Sequence, residues 1–262
     1  MEDLEYVTAQ MRMEWDRRAQ LDAFHFICSE RKTWAIEDFV RAGERDVERY
    51  LMPHLPRCGL DPAERCVLDF GCGVGRLSAA LAKRFKSVTA FDLSSEMLAR
   101  GRALFPDLTN IQWVQGNGVD LHPLADASHD VVFSYLVLQH VPEARLALGY
   151  VAEFCRVLAP GGVLCIQFSY RRAYALRRLH VALRARLARV DWFWRWFAPA
   201  RWRQRRYGRE EIIGMETLMQ HSLHPDQVVR VVRERGLVID QLDTTNPLDI
   251  WLVALKPNAR AA

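Results

Sequence analysis

Two periodicities divide the chain. Residues 1 to 60 mix polar and apolar positions at helical spacing, through Met11-Arg12-Met13-Glu14-Trp15 and again through Trp34-Ala35-Ile36-Glu37-Asp38-Phe39-Val40, with no strand-like alternation. Pro53, Pro56, Gly59 and Pro62 then break the pattern, which marks the expected boundary before a core domain. From Cys66 onward, short apolar runs at 66–70, 88–91, 111–114, 130–134 and 163–166 alternate with helical stretches. That βαβα rhythm predicts an α/β fold on a parallel sheet. Ser94 is placed to cap a helix running through Met97, Leu98 and Leu104, and Pro160-Gly161-Gly162 reads as a turn delivering the chain into the fifth strand.

After Tyr170 the pattern changes to a basic helix striped with leucine, at Leu176, Leu179, Leu183, Leu187 and Val190, followed by Trp192, Phe193, Trp194, Trp196, Phe197 and Trp202. This stretch reads as an insertion. Strand patterns resume at 237–240 and 250–255, joined by a polar loop with Asn246-Pro247 that suits an antiparallel hairpin at the end. The expected divisions are 1–60, 61–170, 171–220 and 221–262.

With 262 residues, half of them hydrophobic, the chain has material for a sizeable core. No apolar run reaches the roughly 20 residues that span a bilayer, and the acidic start Met1-Glu2-Asp3 lacks the basic region of a secretory signal, so a cytoplasmic location is expected. Cys28, Cys58, Cys66, Cys72, Cys155 and Cys165 form no Cys-x-x-Cys pair; they are expected to be reduced and to hold no metal. The net charge of +4 conceals an asymmetry, because residues 171–206 hold twelve arginines against a single acid, Asp191. Such a local excess points to a partner surface.

The richest chemistry lies in Val67-Leu68-Asp69-Phe70-Gly71-Cys72-Gly73-Val74-Gly75-Arg76, where a strand runs into a glycine turn and then a helix. Glycines let the backbone approach a ligand closely. A nicotinamide site would want G-x-G-x-x-G; the G-x-G-x-G spacing here, with an acid two residues earlier, favours a ligand bearing an ammonium group over a pyrophosphate. The run from Asp69 to Gly75 resembles the first motif of class I S-adenosylmethionine-dependent methyltransferases, in particular the small-molecule enzymes of the type 11 group. Further matches come in the family's order: Asp92 ending the second strand, Gln115-Gly116-Asn117-Gly118-Val119 after the third, Tyr135-Leu136-Val137-Leu138-Gln139-His140-Val141-Pro142 after the fourth and Arg156-Val157-Leu158-Ala159-Pro160-Gly161-Gly162 before the fifth.

The resemblance implies a Rossmann-like fold with a seven-stranded, mostly parallel sheet, a terminal antiparallel hairpin, a helical lid at the amino-terminal end and a helical insertion after the fifth strand. It implies S-adenosylmethionine as cofactor. Asp92 would hold the ribose hydroxyls, Asp69 would lie near the methionyl ammonium, and Gly71, Gly73 and Gly75 would line the ligand. Leu93 and Phe91 would flank the adenosine, and Asn117 and Gly118 would face the adenine. Asn117 departs from the family, which often has an acid there; its carbonyl can accept from the adenine amine.

The acceptor requires in-line alignment with the methyl, and a hydroxyl acceptor also requires a base. His140 is the candidate base and Gln139 a candidate for orienting the acceptor; His221 and His224 are weaker candidates. The expected acceptor is small or lipid-like, through O, N or C. Arginine and tryptophan beside a leucine stripe suit an anionic membrane surface, with the enzyme peripheral at its inner face; a lid helix over the substrate is the other reading of the same stretch. No nucleic-acid partner is expected, since no RNA-binding module accompanies the basic residues. A noncatalytic cofactor-binding protein, a nucleic-acid methyltransferase and, against the glycine spacing, a nicotinamide-dependent oxidoreductase remain as other readings.

Overall fold

In the computed structural model, residues 2–28, 33–170 and 223–258 are described. Seven strands form one sheet: β1 (Cys66–Phe70), β2 (Ser87–Asp92), β3 (Ile111–Gln115), β4 (His129–Ser134), β5 (Leu158–Phe168), β6 (Val238–Asp243) and β7 (Ile250–Leu255). Their order is β3-β2-β1-β4-β5-β7-β6, with β1 to β5 parallel and β7 antiparallel to both β5 and β6. The expected α/β class, mostly parallel sheet and terminal hairpin are all present.

The central strands read as unbroken apolar runs because both of their faces are covered. Leu68, Val132, Leu164 and Ile166 point to one side, where α5 (Ala144–Val157) and α6 (Pro225–Glu234) bring Val151, Phe154 and Val228. Val67, Val131, Phe133 and Val163 point to the other, where α2 (Ile36–Tyr50) and α3 (Arg76–Ala82) bring Val47 and Leu81. Every one of these side chains is at most 1% exposed, and burial of each aliphatic one contributes about 1.5–3 kcal/mol. The helix α4 (Ser95–Leu104) starts at Ser94, whose hydroxyl accepts from the Met97 N–H as the capping pattern predicts.

The proline-rich boundary becomes three single turns of 3-10 helix, with Leu51, Leu55 and Leu60 buried between them. At the amino-terminal end, α1 (Glu2–Ile27) bends where Asp22 leaves helical geometry, and the Asp22 carboxylate accepts from the His25 N–H to restart the last turn.

The turn expected at Pro160-Gly161-Gly162 sits inside β5 instead. Pairing passes from His129 opposite Leu158 to Val131 opposite Val163, so 159–162 bulge out of the ladder, and the Gly161 N–H donates to the Lys256 carbonyl. The basic leucine-striped stretch, the aromatic cluster and His221 lie outside the described residues. Among the described residues no helix is long and apolar enough to cross a membrane, and no group of His, Cys, Asp and Glu could hold a metal ion.

Candidate cofactor and acceptor site

The strand order reverses direction between β1 and β4, and ligands of open α/β sheets bind outside the carboxyl ends of the strands at such a point. A cavity of about 320 Å³ lies there. Its floor is Gly71 to Gly73 after β1, Asp92 and Leu93 at the end of β2, Gly118 beyond β3, and Leu136, Val137, Gln139 and His140 after β4. Its roof is α1, through Met11, Trp15, Phe26 and Ile27.

The glycine turn is required by space as well as by backbone. Gly71 and Gly73 have φ of 75° and 55°, where side chains other than glycine are strained. A Cβ on Gly71 would lie 2.4 Å from Val137 Cγ2, and one on Gly73 would lie 2.6 Å from Ile27 Cδ1. The loop after β4 and the roof helix therefore rest directly on this turn. Gly75 is not on the cavity wall. It precedes α3 with φ of 83°, and its missing Cβ makes room for Trp113, 2.4 Å away.

Asp92 is anchored at both oxygens. Oδ2 accepts from the Gly73 N–H and Oδ1 from the Ser94 N–H, each at 2.8 Å. Each carboxylate oxygen keeps a further lone pair, and burial pushes this carboxyl above its ordinary value, so two added donors are electrostatically welcome. That matches a diol such as a ribose. The donor set fits the adenosyl cofactor implied by the motif, with bare backbone at Gly71, Gly73 and Gly118 where the ligand would pass.

Two candidates fall elsewhere. Asp69 is 1% exposed behind the turn, and its Oδ2 accepts from Ser78 Oγ at 2.6 Å. Burial raises it to about 6 against the hydrogen bond from Ser78. It braces the turn against α3 and does not reach the wall, because the side chain of the fourth residue in β1 points down between sheet and helix. Asn117 closes its own turn: Oδ1 accepts from the Val119 and Asp120 N–H groups, and Nδ2 donates to Asp120. Its carbonyl is already engaged, so the expected contact with an adenine amine passes to the neighbouring backbone of Gly118, which does line the cavity.

His140 and Gln139 are both on the wall. The imidazole meets Trp15 edge to face, with centroids 5.6 Å apart, and Nε2 lies 3.4 Å from Gln139 Nε2. With that amide as donor, Nε2 carries the lone pair, and Nδ1, buried without a partner, carries the proton. Burial and then the Arg18 guanidinium lower its pKa to about 4, so the ring is neutral at physiological pH. His224 is remote from this; it caps α6, its Nδ1 accepting from the Asp226 N–H.

Several contacts on or beside the wall had no counterpart in the sequence pattern. Arg76, 2% exposed, pairs with Asp46 of α2 at one end of the cavity. Tyr135 lies against Tyr50 and Trp251, with centroids 5.1 and 5.2 Å away. Arg12 of α1 donates to the Gly116 and Asn117 carbonyls. Each joins segments far apart in the chain: Arg76, Tyr135 and Gly116-Asn117 stand within runs that the sequence marked, but their pairings do not show in it.

Comparison with known proteins agrees with this geometry. Residues 68–166 match the family model described as a methyltransferase domain. An uncharacterized methyltransferase of Mycobacterium tuberculosis is 35% identical over 102 residues, which is 39% of this chain and 49% of that one. The ubiquinone biosynthesis O-methyltransferase of Psychrobacter arcticus is 32% identical over 164 residues, 60% of this chain and 59% of that one. The chain thus spans about half the length of the first curated relatives it matches. Among solved structures, the magnesium protoporphyrin IX methyltransferase of Synechocystis with bound SAH superposes with a TM-score of 0.61 at 18% identity, over 95% of this chain and 99% of that one. Residues 68–166 thus match a methyltransferase domain, and the fold around them is that of class I S-adenosylmethionine-dependent methyltransferases.

Proposed function

We propose that this protein transfers a methyl group from S-adenosylmethionine to the oxygen of a small-molecule acceptor. The observation that carries the reading is one cavity that joins the Asp92–Gly73 pair and its bare glycine backbone to a neutral His140 beneath α1. The name of the ubiquinone biosynthesis O-methyltransferase supports oxygen as the accepting atom.

When bound, the cofactor supplies an electrophilic methyl on a sulfonium that leaves as a neutral thioether. Asp92 would hold the ribose hydroxyls, the backbone of Gly71 and Gly73 the methionyl arm, and Leu93 and Gly118 the base. His140 Nε2 would take the hydroxyl proton as the acceptor oxygen attacks, and Gln139 would orient that hydroxyl. Trp15, Phe26 and Ile27 would exclude water and press the acceptor onto the methyl.

Residues 171–206 add a location to this reading. Their twelve arginines, leucine stripe and four tryptophans suit a peripheral contact with an anionic membrane and a lipid-like acceptor. Flotation with vesicles containing anionic lipid checks this; failure to float would leave the stretch as a cover over the acceptor.

The direct test is incubation with methyl-labelled cofactor and cell extract, partitioned into organic, aqueous and macromolecular fractions, beside Asp92→Ala. Label in a small-molecule fraction, lost in the variant, is expected. Label confined to macromolecules, or equal in the variant, would overturn the reading.

A further inference from the structure

Leu136 is one of two non-glycine residues with positive φ among those described, at 61°, and it lies on the cavity wall; the other, Ala127, is in an exposed surface turn. Leucine pays to adopt this conformation, so something must hold it. The Leu136 N–H donates to Gln167 Oε1 at 3.0 Å. Gln167 is fully buried in β5, outside the cavity, and its Nε2 donates to the Phe168 carbonyl at 3.3 Å. A buried amide in a strand of otherwise apolar residues costs desolvation, which only engaged hydrogen bonds offset.

The residues just after Leu136 form the working edge of the site. Val137 rests on Gly71, where a Cβ would lie 2.4 Å from it, and the Val137 carbonyl accepts from the His140 N–H at 2.8 Å to form the turn that carries the imidazole. We propose that Gln167 is a positioning residue: by holding Leu136 in left-handed backbone it sets Val137 against the glycine turn and His140 against the roof, without touching either ligand. The inference rests on the methyltransferase reading of the cavity.

The test is the affinity for S-adenosylhomocysteine, measured by calorimetry, in Gln167→Leu, Leu136→Gly and the double variant, with thermal melts of each. Gln167→Leu is expected to weaken binding about fivefold, the scale of one lost hydrogen bond. Glycine adopts positive φ without strain, so the same change in the Leu136→Gly background is expected to weaken binding by less than about twofold. Gln167→Met keeps the length of the side chain without the accepting amide oxygen and is expected to weaken binding as Gln167→Leu does, which also covers the case in which Gln167→Leu fails to fold. Equal weakening by Gln167→Leu in both backgrounds, or none in either, would overturn the positioning role. Absence of binding by the unaltered protein would instead overturn the methyltransferase reading itself.

Discussion

The Asp16 carboxylate in α1 accepts from the Ser94 hydroxyl at 2.5 Å, while the Ser94 N–H donates to Asp92, so one serine links the roof helix to the acid at the cavity floor. Asp16 Oδ1 also accepts from the Glu96 N–H, at the positive end of the α4 dipole. Asp16→Ala removes this latch. Its stability cost is expected to be about 1 kcal/mol, with a several-fold loss of S-adenosylhomocysteine affinity as α1 loosens. Amide exchange in α1 measured beside binding would show both effects; unchanged exchange would mean that the apolar face of α1 alone holds the roof.

The glycine turn distinguishes backbone strain from steric exclusion. Gly59 has φ of 67° with nothing within 4 Å of a built Cβ, whereas Gly71 has φ of 75° with Val137 in the way. Gly59→Ala is expected to cost about 1 kcal/mol and leave binding intact. Gly71→Ala adds the collision and is expected to abolish measurable cofactor binding. Thermal melts and calorimetry on the pair decide it, and equal behaviour would mean that the loop after β4 yields easily.

The parts of this site that are local in sequence were legible in it. The G-x-G-x-G turn, Asp92 at a strand end and His140 after the fourth strand each announce a place at the carboxyl edge of a parallel sheet, because the βαβ rhythm dictates which ends of the strands gather. Asp69 and Asn117 show the limit. Both belong to the right motifs, yet a hydroxyl on α3 engages one and the backbone of its own turn engages the other. Asp16, Arg12 and Gln167 left no signal at all. Each acts across 31 or more residues, and such pairings depend on how helices and loops pack after the sheet has formed.

Two buried histidines tie stability to pH. His129 lies between Ser128 and Thr89, with each ring nitrogen 2.9 Å from a hydroxyl, and burial lowers its pKa from 6.5 to about 4, as it does for His140. In this window the unfolded chain binds protons that the folded chain refuses, so stability falls as pH drops from 6.5 toward 4, by up to about 3 kcal/mol per histidine. Asp69 acts in the opposite sense: held at about 6 against 3.8, it keeps a proton that the unfolded chain has lost, and its penalty is relieved as pH falls from 6 to 3.8. The two histidines together outweigh Asp69, and the expected net is a loss of stability with acid, steepest between about pH 6 and 5.5. Urea melts across this range on the protein and on His129→Gln should show a flatter dependence in the variant; identical slopes would remove His129 from the account.

A base already neutral above about pH 4 leaves its mark on the rate profile. If His140 Nε2 accepts the acceptor proton, kcat is expected to rise with pH through about 4 and to be level from 6 to 8, where an unperturbed histidine would still be titrating. Arg18 lies over the Trp15 ring at 4.6 Å and is the charge that helps to hold the imidazole neutral. Arg18→Gln should therefore move the inflection upward toward 6.5, and His140→Gln should lower kcat about 100-fold while leaving S-adenosylhomocysteine affinity within a few-fold. Because burial is the larger cause of the shift, the deciding variant is His140→Gln: an inflection and kcat unchanged in it would assign the titration to the acceptor or to another group, and His140 would then be a packing partner of Trp15 alone.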